Sequence, residues 1–203
     1  MIGRYCPTLS RGLLRHEFLS AAAAFGVLVL LGFAGALLFP AYAQDAFAGF
    51  TEKIEQLGLS GDVPQEQMLA VLFFNNFTAS LLSMLYGLVP FLPLSALALG
   101  SNALLLGAFA AIYRQQGIGL GIYLIGILPH GIFELPALVL SCALGLLLCR
   151  TGSDCIRKRD GAAPFFPRVL DCLRVFLFAV VPLLAAAAFV EAYLTPLLLS
   201  AVM

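Results

Sequence analysis

Charge is scarce in this chain. Asp, Glu, Lys and Arg make up 11% of its 203 residues, against about 25% in an ordinary soluble domain. Acids and bases cancel to a formal net charge of zero, which removes any bulk electrostatic case for nucleic acid. The five cysteines (Cys6, Cys142, Cys149, Cys155 and Cys172) contain no CxxC pair and no Cys/His spacing suited to zinc. They read as small apolar packing residues, and no disulfide framework is expected. HExxH, GxSxG and a Gly-rich phosphate loop ahead of a Lys are missing, so no enzyme class is indicated. Gly117-x-Gly119-x-Gly121 lies in an apolar run with no strand before it and is not a nucleotide fingerprint. Tandem repeats and low-complexity linkers are also missing.

What the chain has instead is apolar surface. Hydrophobic residues reach 62%, and a chain of this size cannot hide such a surplus in one small core. Lipid is the solvent that accepts it. The expected fold class is all-α: a polytopic transmembrane helical bundle of about five spans, forming a single integral membrane domain over residues 1–203. The apolar runs are Phe18 to Pro40, about Gln67 to Leu88, about Leu92 to Tyr113, Gly117 to Leu148, and about Val175 to Val202. The first resembles a signal peptide, with Arg11 and Arg15 ahead of it and Ala41-Tyr42-Ala43 after it. Its apolar run exceeds a usual signal core, so it is read as an uncleaved span.

Nine of the eleven basic residues fall on one side of a five-span chain: Arg4, Arg11, Arg15, Arg150, Arg157, Lys158, Arg159, Arg168 and Arg174. The excess of Lys and Arg marks the cytoplasmic side. The expectation is a plasma-membrane protein with a cytoplasmic N-terminal segment at 1–16, a basic cytoplasmic loop at 149–174 and an external C-terminus. Residues 41–66 would lie outside, with five acids and one Lys. Within them, Phe47, Phe50, Ile54 and Leu57 recur at helical spacing between Asp45 and Gly58. This predicts an amphipathic helix on the membrane or the bundle, ended by a break at Ser60-Gly61-Asp62.

The fourth run carries Pro129 and Pro136 among several glycines. Proline removes a backbone donor and kinks or breaks a helix. A broken or re-entrant helix near Pro129–Gly131 is therefore expected, with Gly117–Leu128 as a half-helix. Small residues repeat every four positions at Ala103, Gly107 and Ala111, at Ala137, Ser141 and Gly145, and at Gly117 and Gly121. Such spacing lets helices approach closely.

Polar residues inside the spans are costly and usually face the bundle interior. Among the acids, only Glu134 and Glu191 are read as lying within apolar runs. His130 precedes Glu134 by four residues, one helical turn. Asn76, Ser80, Ser83 and Gly87 form one stripe; Asn75 and Thr78 lie off it. Asn102 sits in the third span, and Thr195 follows Glu191 by four residues. The expectation is one intramembrane polar cluster of Asn76, Asn102, His130, Glu134, Glu191 and Thr195. Tying helices together is the plainer role for such residues. A divalent metal such as zinc, held by His130, Glu134 and Glu191, is the sharper one.

The run from Leu128 to Ala137, with its His-Gly-x-x-Glu-x-Pro core, resembles the signature of the stage II sporulation protein M family. Phe74-Asn75-Asn76, Gly87, Ser101-Asn102 and Glu191-Ala192-Tyr193-Leu194-Thr195-Pro196 are similar to further family segments, in the same order. Ser101 and Ala103 depart from the family's pattern around Asn102. The resemblance covers roughly residues 15–200. It implies a helical membrane protein of five to six spans. In spore formers the family member anchors two peptidoglycan-degrading partners during engulfment. The leading expectation is thus a non-enzymatic scaffold that meets the bilayer and, through external residues 46–58, peptidoglycan hydrolases; a second copy of the chain is a further partner. The alternative is a transporter or channel-like protein with an intramembrane His/Glu site, and an intramembrane metalloenzyme is a third.

Overall fold

The computed structural model describes residues 6–58, 63–161 and 163–200. The expected break at Ser60-Gly61-Asp62, Arg4 and the end of the last span beyond residue 200 lie outside them. All regular structure among the described residues is helical. In chain order the helices are α1 (Arg11–Leu38), α2 (Pro40–Gln56), α3 (Gln65–Leu85, with a 3-10 turn Tyr86–Leu88), α4 (Leu94–Gln115), α5 (Leu120–Ile156) and α6 (Phe165–Leu198). Five of them, all but α2, are long and apolar enough to cross a membrane. The chain is thus an all-α, multi-pass membrane protein.

Helix boundaries follow local chemistry. Pro40 occupies the first turn of α2, where its missing N–H costs nothing. It also forces Phe39 out of helical geometry, at φ −128° and ψ 69°, which separates α1 from α2. Helix α2 therefore starts six residues before the expected Ala46, and Ala41-Tyr42-Ala43 lies inside it. Gly117, at φ +78°, ends α4. Its N–H donates to Arg114 O, and the Ile118 N–H donates to Tyr113 O. That paired C-terminal cap places Gly117 outside any helix.

The expected break near Pro129–Gly131 is not present, nor is the half-helix Gly117–Leu128. Helix α5 runs unbroken for 37 residues through both Pro129 and Pro136. Each proline removes only its own N–H, and spanning helices tolerate that loss when the rest of the ladder continues. At about 1.5 Å per residue α5 is roughly 56 Å long, well beyond a bilayer core of about 30 Å. The irregularities fall in α6 instead. It contains two π-helical segments, Phe176–Val180 and Val190–Leu194.

The chain divides into two compact units. The first comprises Met1–Phe25, Phe77–Gly100 and Leu135–Leu183. Its core holds Met84, Leu144, Leu148, Phe176 and Val180, all nearly inaccessible. Gly87 lies so close to the Gly145 backbone that an added Cβ would come within 2.0 Å of Gly145 O. Two buried acids also belong to this unit. Glu17 is ion-paired with Arg150. Asp171 accepts from the Thr8 N–H and hydroxyl, at 2.8 and 2.6 Å, and from Arg174 at 2.8 Å. Both acids sit in helices α1 and α6, just ahead of the apolar runs that begin at Phe18 and Val175.

The second unit comprises Gly26–Asn76, Ser101–Glu134 and Leu184–Met203. Here α1 and α4 cross with backbones in contact. A Cβ on Gly107 would meet Val29 O at 2.0 Å, and one on Gly32 would meet Leu104 O at 2.3 Å. A Cβ on Gly117 or Gly121, by contrast, would meet nothing within 4 Å, so no neighbouring helix among the described residues is seated on that pair. Helix α2 packs by its aromatic face: Phe47 and Phe50 meet the Phe109 ring at 5.3 and 4.8 Å, and Phe47 meets Tyr113 at 6.4 Å. The Tyr123 hydroxyl donates to Leu106 O at 2.6 Å, tying the start of α5 to α4.

A candidate polar site beneath helix α2

The second unit encloses a cavity of about 530 Å³. Five helices contribute to it. The polar lining is Lys53 from α2, Asn75 and Asn76 from α3, Asn102 from α4, His130 and Glu134 from α5, and Glu191 from α6. Apolar and small residues, among them Phe50, Leu72, Leu105 and Ala188, fill the rest of the wall.

Each polar side chain is placed by a simple local cause. His130 and Glu134 are one turn apart on an unbroken helix and so share a face. Glu191 lies in the π segment Val190–Leu194, whose wider turn is closed by a bond from the Thr195 N–H to Val190 O. Pro196 follows directly and has no N–H to return to the ladder. Lys53 comes from the last turn of α2, the helix that Phe47 and Phe50 pin to α4.

His130 Nδ1 lies against Glu191 Oε2, imidazole facing carboxylate. The side chains are 19% and 31% exposed, so the pair is shielded without being sealed. The buried Thr195 hydroxyl lies 3.2 Å from Glu191 Oε2 and 3.4 Å from Val190 O, with one proton to give. Asn75 Nδ2 donates to Asn76 Oδ1 at 3.1 Å. Glu134 and Asn76 are part-buried, while Asn102 is accessible. The arrangement can hold a small polar group between a cationic end, Lys53, and two carboxylates, with carboxamides able to donate and accept.

The expected cluster residues Asn76, Asn102, His130, Glu134 and Glu191 all line this one cavity, and Thr195 supports Glu191 from behind. Rather than a closed core, they surround an accessible space. Lys53 and Asn75 were missed. Lys53 lies outside the spans, and Asn75 lies off the stripe that begins at Asn76. The rest of that stripe, Ser80, Ser83 and Gly87, is buried in the first unit. Among the described residues no group of three or more His, Cys, Asp and Glu side chains is arranged to hold a metal ion.

A family model described as stage II sporulation protein M matches residues 21–196. No curated protein and no solved structure matches the chain.

Proposed function

The chain belongs to the stage II sporulation protein M family, and from that premise we propose that it is a non-enzymatic membrane scaffold that positions cell-wall remodelling enzymes. One observation carries the reading. Helix α2 spends its aromatic face on Phe109 and Tyr113, and this leaves Asp45, Glu52 and Glu55 exposed. These acids recur at seven- and three-residue spacing, so they share one helix face. A rigidly held acidic face suits a basic partner surface, because complementary charge speeds and orients docking. The basic residues elsewhere argue that α2 is external, where peptidoglycan enzymes work.

Replacing Asp45, Glu52 and Glu55 with Lys in the full chain should cut capture of a peptidoglycan hydrolase in a membrane pull-down by on the order of tenfold, with thermal stability kept. Undiminished capture rejects the scaffold reading.

The cavity favours a second reading, a transporter for a small polar solute. A π segment carrying Glu191 opposite His130 is the kind of helix irregularity that builds mid-span sites. Its signature is solute flux in liposomes that Glu134→Gln abolishes; a wild-type protein that passes no solute removes it.

A further inference from the structure

The first unit contains a cavity of its own, about 450 Å³, lined by Phe91, Arg150, Ser153, Asp154, Arg157 and Arg159 among others. Its walls are the last turns of α5, the residues that directly follow it, and the loop leading into α4. The loop reads Pro90-Phe91-Leu92-Pro93, where two prolines prevent a helix. It is fastened to α5 by two bonds: the Phe91 N–H donates to Ser153 Oγ at 2.9 Å, and the Cys149 thiol donates to Leu92 O at 3.5 Å. Phe91 sits at φ +67°, a costly backbone conformation for a bulky side chain. What the strain achieves is position: the Arg157 guanidinium lies 5.0 Å from the Phe91 ring centre.

The charges around this cavity do not cancel. Arg159 is held by Asp154 at 3.0 Å, and Arg150 by Glu17. Arg157 has no ion-pair partner among the described residues; the face of an aromatic ring is its neighbour. A guanidinium oriented on a ring, beside two others, presents the planar donor fork that matches phosphate oxygens. Leu88, Val89, Leu92 and Ile156 of the same unit are exposed and apolar. A free anion has no use for such flanks, whereas acyl chains do.

We propose that this cavity binds the phosphate of an anionic phospholipid, with Arg157 as the principal contact and Phe91 as the residue that orients it. The shared chemistry is a phosphate anion, and the source is the lipid headgroup. Basic pockets beside spanning helices are suited to such headgroups.

The test is native mass spectrometry of the full-length protein in detergent micelles, titrated with phosphatidylglycerol or phosphatidylcholine. The wild type should hold phosphatidylglycerol about tenfold more tightly, and Arg157→Gln should reduce that preference roughly fivefold. Arg157→Lys should recover part of it, and Arg114→Gln, a charge removed from the other unit, should change nothing. Millimolar inorganic phosphate should leave the lipid in place. Unchanged preference in Arg157→Gln, or an equal loss in Arg114→Gln, overturns the site. Displacement of the lipid by inorganic phosphate overturns the lipid assignment in favour of the free anion.

Discussion

Glu17 and Arg150 form an unequal pair. The carboxylate is 1% exposed and the guanidinium side chain 60% exposed, and Glu17 Oε2 already lacks a hydrogen-bond partner among the described residues. Removing Arg150 would strand a buried charge, while removing Glu17 would leave a cation that water can solvate. Arg150→Ala should therefore cost about 2–3 kcal/mol, whereas Glu17→Met, which fills the same space without charge, should be close to neutral. Unfolding of the two variants in detergent, followed by heat or denaturant, checks the order; a larger loss in Glu17→Met contradicts it. Neither partner stood out in the sequence. Glu17 immediately precedes the apolar run that begins at Phe18 and looks like its polar flank. Its helix starts at Arg11, so the residue is carried inside. Asp171 escaped notice for the same reason, because α6 begins at Phe165, ten residues before the apolar run.

The elements themselves were the most legible part, since a spanning helix writes its length directly into hydropathy. All five spans were readable, with ends that shifted by several residues. Proline misled twice. Pro129 and Pro136 promised an interruption in α5 that the ladder absorbs, while Pro182 and Pro196, each following a π segment, marked where α6 changes its winding. A missing N–H is visible in sequence; whether neighbours let the helix continue is a tertiary matter. Small-residue spacing was a better guide where a partner helix is present. Gly107, between the fully buried Ala103 and Ala111, lets α4 meet α1 backbone to backbone. Gly107→Val should force the two apart and destabilise by about 3 kcal/mol or more, read as a lowered unfolding temperature. Gly121→Val, which faces open space, should not.

For the whole molecule, five helices long and apolar enough to cross a membrane, taken with the uneven distribution of Lys and Arg, predict which connecting segments face which side. Reporter fusions after Leu57 and after Arg159 should read opposite compartments, the first external and the second cytoplasmic. The same compartment for both would refute the topology. The cavity was legible only in part at this scale. His130, Glu134, Glu191, Asn76 and Asn102 could be grouped because intraspan polarity is rare enough to mean something. Lys53 could not, since the sequence does not say that α2 returns its last turn over α5 and α6. That placement depends on Phe47 and Phe50 finding Phe109, a contact between residues more than fifty positions apart.

A π turn holds more residues than an α turn, so each of the two in α6 acts as a phase slip: everything beyond it is rotated about the helix axis relative to what an even winding would give. Glu191 lies within the second of these turns, so the direction it faces, toward His130, depends on the winding there as well as on its identity. Losing Val190 alone would leave every polar side chain of the cavity in the gene product and a helix still long enough to span. The carboxylate would then point elsewhere. In this protein the count of residues along α6 is as much a part of the site as the residues themselves.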